Sequence, residues 1–110
     1  ASEITKNGGI AICAPIAPYE ADRQFNREII QSFGGYIEIH VNTTLAVCEE
    51  RDVKGLYALA REGKIKEFTG ISDPYEEPIN PEIIINSSGE EPEILVDQIL
   101  SKLKYFGYIN

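Results

Sequence analysis

Half of the lysine and arginine residues, five of ten, fall between residues 51 and 66 of a chain whose formal net charge is −8. They are Arg51, Lys54, Arg61, Lys64 and Lys66. Such a cluster could neutralise a bound phosphate or sulfate group, above all if Arg23 and Arg27 face the same cleft. Five carboxylates lie in or beside the same stretch, so a solvated helix face of mixed charge explains the pattern equally well. Charge alone leaves both interpretations open.

Other combinations that could carry catalysis or bind a metal are missing from the sequence. There is no GxxxxGK[ST], GxGxxG, GxSxG, HExxH or CxxC motif. Glu49 and Glu50 are adjacent, and adjacent side chains of a helix point in different directions, which argues against an acid–base pair. His40 lacks neighbours at metal-ligand spacing, and Cys13 and Cys48 are too few for a disulfide framework, so we expect a structural histidine and buried thiols. No metal ligand is assigned.

The composition is that of an ordinary globular domain. The 110 residues are 43% hydrophobic and 25% charged, enough for one domain or slightly less. The acidic balance argues against a nucleic-acid partner, and the apolar runs are far shorter than the roughly 20 residues that span a bilayer. No signal-peptide pattern opens the chain. We therefore expect a cytoplasmic protein without a membrane or nucleic-acid partner, but a small anionic ligand stays possible.

The hydrophobic pattern predicts alternating strands and helices. The run 9–14 has no polar alternation, as in a strand that is buried on both faces. Apolar residues recur every three or four positions in the helical segments, and Asn42 or Thr43 is expected to cap the third. Alternation of this kind predicts an α/β fold, a three-layer parallel sheet with helices on both faces. The predicted strands are 9–14, 36–41 and 82–85, and the predicted helices are 1–7, 20–33, 45–51, 56–61 and 91–106.

Two features predict that the domain is truncated at its amino terminus. The chain opens on what reads as a last helical turn, which Gly8 and Gly9 close. Three strands also leave a thin sheet with two open edges. We therefore expect part of the domain to precede Ala1.

The punctuated segment 64–81 is predicted to be a lid. Its glycine and prolines exclude a regular element, and irregular segments of this length are often functional. Its apolar side chains favour packing against the domain when the lid closes. Ligands of open α/β sheets bind beyond the carboxyl ends of the strands, where segments 15–19, 41–54 and 86–90 are expected.

Three stretches resemble adenylylsulfate kinases. Residues 47–57, VCEERDVKGLY, and 60–76, AREGKIKEFTGISDPYE, are similar to that family's lid region, and residues 16–23, IAPYEADR, resemble its I-S-P-Y-x-x-x-R segment. Members are P-loop nucleotide kinases that use MgATP to phosphorylate the 3′-hydroxyl of adenosine 5′-phosphosulfate (APS). The resemblance covers about residues 9–81. It implies that residues 1–110 form the carboxyl-terminal part of a single kinase domain, with a lid at about 52–80.

The resemblance also implies roles for individual residues. The residues expected at APS are Ile16 and Ala17 along its edge, Lys54 in contact with it, and Glu67 and Phe68 over its adenine. Those expected near the ATP adenine are Arg51, Ser88, Gly89 and Glu90. The family serine of I-S-P-Y, a phosphoserine position in some members, is Ala17 here. We therefore assign no catalytic residue in this chain and expect direct transfer between the bound nucleotides.

The resemblance implies a transferase of sulfate assimilation, an adenylylsulfate kinase, for the intact protein. Mg²⁺ would bind with ATP, through ligands and a phosphate loop that this chain lacks, so the chain alone is expected to be inactive. A homodimer is expected, with a possible fusion to ATP sulfurylase. The alternative is a non-catalytic, kinase-like, nucleotide-binding regulatory domain of a sulfurylase. The nearly complete lid favours the kinase.

Overall fold

The computed structural model describes all 110 residues and contains five helices and two strands. Each observed element lies inside, or coincides with, a predicted one. None of the helices is long and apolar enough to cross a membrane. The elements are α1 (Ser2–Lys6), α2 (Glu20–Gln31), β1 (Ile39–Val41), α3 (Leu45–Arg51), α4 (Leu56–Arg61), β2 (Ile83–Ile85) and α5 (Pro92–Tyr105).

The sheet has two parallel strands, β1 and β2, with His40 opposite Ile84. Residues alternate across β2, so Ile83 and Ile85 are buried while Ile84 is exposed. The two buried isoleucines pack with Leu95 of α5. The predicted α/β class is confirmed, with a parallel sheet of two strands. The sheet and α5 form the core.

The predicted strand at 9–14 is not formed. Residues 10–14 lie outside every strand and make no backbone–backbone hydrogen bonds. Ile12 is 93% exposed, and Cys13 is exposed too, so the expectation of a buried thiol at Cys13 was wrong. A strand needs a neighbour to accept and donate its backbone hydrogen bonds, and no other segment of this chain makes such bonds with the run.

One predicted helix cap differs from the observed one. Thr44, rather than Asn42 or Thr43, caps α3, since its hydroxyl accepts from the Val47 N–H at 3.4 Å. The Thr43 hydroxyl instead bonds the Ser87 hydroxyl and joins the carboxyl ends of the two strands. His40 is buried in β1 and its ring stacks on Tyr75 at a centroid distance of 6.4 Å, as expected of a structural residue.

Candidate functional site

The turn between α3 and α4 is fixed by a carboxylate. Asp52 accepts hydrogen bonds from the backbone N–H groups of Tyr57 and Ala58, both at 3.0 Å. These groups belong to the first turn of α4 and have no partner within the helix. Gly55 completes the turn at φ +67°, in the region that favours glycine. The Arg-Asp-Val-Lys-Gly stretch therefore folds back on itself and presents Lys54 between the two helices.

Beside this turn lies an open pocket of about 330 Å³. Arg51, Lys54 and Phe68 all line it. The Phe68 ring meets the Tyr57 ring edge to face, with centroids 5.0 Å apart and planes at 73°. This pocket brings together two residues predicted to contact APS and one predicted to lie near ATP. The surface of the pocket is almost wholly apolar, so it suits an apolar or aromatic group such as a nucleobase, with Arg51 and Lys54 among the residues around it.

Four of the five cations between residues 51 and 66 fall into two groups. The guanidinium of Arg61 binds the Glu49 carboxylate through two hydrogen bonds, at 2.7 and 2.9 Å. These bonds lower the pKa of Glu49. Lys64 is paired with Glu62 at 2.6 Å, so both cations belong to a solvated face of mixed charge. Arg51 and Lys54, in contrast, form no ion pair and line the pocket.

Arg23 and Arg27 do not join this cleft, which corrects that expectation. Arg27 binds the Glu82 carboxylate through both terminal nitrogens. Arg23 is only 5% exposed and bonds the Ala17 carbonyl. Both side chains of α2 are thus engaged within the protein. Sequence reasoning missed these contacts because single arginines on a helix carry no signal for their partners.

Three of the four residues predicted near ATP lie along one turn beyond β2, and the fourth, Arg51 of α3, is bonded to that turn. Arg51 Nη2 donates to the Ser87 carbonyl at 2.6 Å and so connects the pocket to this turn. Within the turn, the Ser88 N–H bonds the Asn86 side-chain oxygen at 3.0 Å. Glu90 accepts from Gln98 at 3.2 Å. Ser88, Gly89 and Glu90 follow one another directly, and none of them lines the pocket.

The remaining predicted APS residues lie outside the pocket. Ile16 is 69% exposed, and it stands with Ala17 in the loop that precedes α2. Glu67 is exposed beside Phe68. Ala17 and Glu67 are the two non-glycine residues whose φ lies in the left-handed region, at +44° and +55°. Such backbone conformations tend to occur at functional sites, held there by the surrounding structure.

No group of three or more His, Cys, Asp or Glu side chains is arranged to hold a metal ion. No metal ligand is therefore assigned to this chain.

Known proteins match the chain along most of its length. The family model described as adenylylsulphate kinase matches residues 1–86. The adenylyl-sulfate kinase of Halothermothrix orenii is 50% identical over 107 residues, which are 97% of this chain and 56% of that protein. A sulfate adenylyltransferase of Chaetomium globosum is 42% identical over 110 residues, which are 19% of its length.

A solved structure agrees with these relatives. The Mycobacterium tuberculosis APS kinase in complex with AMPPNP and APS matches with a TM-score of 0.84 and 32% identity, over 89% of this chain and 57% of that one. The chain thus spans a little over half the length of the kinases that it matches. Sequence and structure agree over nearly the same residues. The chain belongs to the adenylylsulphate kinase family.

Proposed function

We propose that this chain forms the lid-bearing, carboxyl-terminal part of an adenylylsulfate kinase. The reaction transfers the γ-phosphoryl group of ATP to the 3′-hydroxyl of APS. The observation that carries the proposal is the pocket in which Arg51, Lys54 and Phe68 meet. It lies at the base of the segment whose sequence is most similar to the family's lid, in a chain that is half identical to a kinase of that family.

Phosphoryl transfer depends on positioning and charge neutralisation more than on covalent chemistry. In the proposal, the Lys54 ammonium neutralises part of the phosphosulfate charge and the Phe68 ring stacks on the substrate adenine. Arg51, with the turn at Ser88–Glu90, lies near the ATP adenine. Ile16 and Ala17 border APS, and Glu67 lies with Phe68 over its adenine. Closure of the lid would also exclude water from the transferred group.

The wider setting belongs to the same proposal. The full domain would have a three-layer parallel sheet, and Mg²⁺ would bind with ATP through ligands outside this chain. The matched sulfate adenylyltransferase supports a possible fusion to a sulfurylase. A cytoplasmic homodimer remains a prediction, as does inactivity of the 110-residue chain by itself. The kinase is preferred to a regulatory nucleotide-binding domain because the family model and the Halothermothrix relative both carry the kinase name.

Steady-state kinetics of the complete polypeptide test the pocket. ADP release is measured while APS and ATP are varied in turn, for Lys54→Ala and Phe68→Ala. We expect the KM for APS to rise about tenfold, equivalent to roughly 1.4 kcal/mol of binding, with the KM for ATP within about twofold of wild type. Lys64→Ala is the matched control, since it removes a lid lysine whose partner is Glu62.

Two outcomes contradict the proposal. Equal increases of the KM for APS and the KM for ATP would contradict the roles assigned to Lys54 and Phe68. Binding of both nucleotides by the unmodified complete polypeptide without any ADP release would support the regulatory domain instead.

A further inference from the structure

Arg23 is buried, and its guanidinium donates hydrogen bonds to three other residues. It is 5% exposed in a chain with only seven buried residues. Its Nη1 donates to the Ala17 carbonyl at 2.6 Å, and its Nη2 donates to the Glu20 carboxylate and to the Glu76 carbonyl, each at 2.6 Å. Burial of a guanidinium is costly unless its donors are satisfied. Here the acceptors come from three places: the loop before α2, the first residue of α2, and the lid.

Glu76, which belongs to the lid, makes further hydrogen bonds to the loop before α2 and to the start of α2. Its backbone N–H donates to the Pro18 carbonyl at 2.8 Å. Its carboxylate accepts from the Glu20 N–H at 2.9 Å. The residue at the N-cap of α2, Tyr19, provides no side-chain cap, so Glu76 caps this helix from 56 positions further along the chain. The N–H, the carbonyl and the side chain of Glu76 are all bound to the loop and the start of α2.

The tip of the lid is held differently. Between residues 62 and 73, the backbone hydrogen bonds join residues at most six positions apart, such as Ser72 N–H to Phe68 C=O at 3.0 Å. The tip is therefore a local turn, whereas residue 76 is tied to a distant loop. Arg23 also lies over the Tyr75 ring, 5.8 Å from its centroid, and that ring stacks on His40 of β1. The return leg of the lid, the part with Tyr75 and Glu76 that leads toward β2, is thus anchored both to the sheet and to the loop before α2.

The anchored loop contains one of the two strained backbones. Ala17, at φ +44°, offers its carbonyl directly to Arg23. A strained conformation persists only when its surroundings hold it. We infer that Arg23 is a positioning residue, which fixes the Ile16–Ala17 loop and the return leg of the lid as one rigid unit. The inference rests on the proposed function, since it gives this unit the task of placing APS.

The ATP side should be independent of this unit. Arg51 and the turn at Ser88–Glu90 make no hydrogen bond or ion pair with Arg23, Glu20 or Glu76. Loss of Arg23 should therefore weaken APS binding and its alignment for transfer, with little effect on ATP binding. If Arg23 were merely structural, its loss would lower the stability of the protein and would either leave the affinities for APS and ATP unchanged or change both together.

The test measures KM for each nucleotide and kcat in the complete polypeptide. Arg23→Ala is expected to raise the KM for APS at least tenfold and to lower kcat, with the KM for ATP within twofold of wild type. Arg23→Lys keeps the charge but not the fork that reaches three acceptors, and it should recover only part of the loss. Arg27→Ala is the matched control, because Arg27 lies one turn further along α2 and binds Glu82 instead of the loop.

Each outcome decides the inference. A wild-type KM for APS in Arg23→Ala, with wild-type turnover, overturns it. If that variant does not fold, Arg23→Lys takes its place in the decision, since it keeps the buried charge but lacks the guanidinium fork that reaches Ala17, Glu20 and Glu76. An unchanged KM for APS in Arg23→Lys would then overturn the inference. Failure of the wild-type polypeptide to bind APS would instead refute the proposed function, so the two failures are distinct.

Discussion

Arg27 lies near two glutamates, Glu38 and Glu82, whose pKa values are shifted in opposite directions. It binds Glu82 through two hydrogen bonds, but its Nη2 is 4.0 Å from Glu38, whose carboxylate oxygens are buried without a hydrogen-bond partner. Burial raises the pKa of Glu38, and the charge of Arg27 offsets this only in part. Burial also pushes the pKa of Glu82 upward, but hydrogen bonds from Arg27 and from the Glu38 N–H outweigh it, so the net shift is downward.

The two carboxyl groups should therefore affect stability with opposite pH dependence. The stabilisation from Glu82 is fully present above its ordinary pKa near 4.5 and is lost as pH falls through its lowered folded value. Ionisation of Glu38 destabilises the fold as pH rises above 4.5, because the folded protein holds this proton more tightly. Glu82→Gln should lower the thermal midpoint at pH 7, with a smaller effect at pH 4. Glu38→Gln should raise it at pH 7.

Thermal unfolding of the complete polypeptide at both pH values checks this pair of variants against wild type. Glu28→Gln, an exposed carboxylate of α2 with no hydrogen bond or ion pair, controls for the loss of one negative charge. If Glu38→Gln lowered the midpoint at pH 7, its ionised carboxylate would be a stabilising partner of Arg27, and the sign assigned here would be wrong.

At the scale of the elements, α4 depends on its cap. A helix of six residues cannot support itself by propensity, and Asp52 satisfies two of its free N–H groups. In the complete polypeptide, Asp52→Ala should lower the free energy of unfolding by about 1 kcal/mol, the usual effect of a lost cap. It should also increase hydrogen exchange at the amides of Tyr57 and Ala58. Glu50→Ala, the loss of an exposed carboxylate on α3, is the control; unchanged protection at these amides in Asp52→Ala would contradict the role of the cap.

The elements also explain which features could be predicted from the sequence. Helices were placed correctly because their apolar spacing and their end signals are local, as in α3 and α4. The strand at 9–14 failed because the partner of a strand lies elsewhere in the chain, and nothing in the run itself supplies it. The resemblance identified Lys54 and Phe68, which the pocket brings together. It also includes Arg23, the arginine that ends the I-S-P-Y-x-x-x-R segment, but it gave no hint of the partners of this guanidinium, since backbone carbonyl acceptors leave no periodic pattern.

At the scale of the whole molecule, the chain is open. Its radius of gyration is 16.0 Å, whereas a compact domain of this length has about 13 Å. Seven of the 110 residues are buried, and the apolar core cluster has three members. Ile12, Val53 and Ile79 are each at least 73% exposed. The secondary structure is local and regular, but little apolar surface is removed from water to stabilise it.

The small amount of buried apolar surface predicts how the 110-residue chain behaves in isolation. Because three core residues cannot offset the conformational entropy of a whole domain, unfolding should be broad, without a sharp thermal midpoint. The exposed apolar surface should bind the dye ANS, as loosely packed states do, while far-UV circular dichroism retains a helical signal. A complete kinase of the family is the control and should unfold cooperatively with little dye binding. A cooperative transition in the isolated chain would mean that the two-stranded sheet, α5 and the Arg23 contacts suffice to hold one packed state, and the extended shape would then be intrinsic to this part of the kinase.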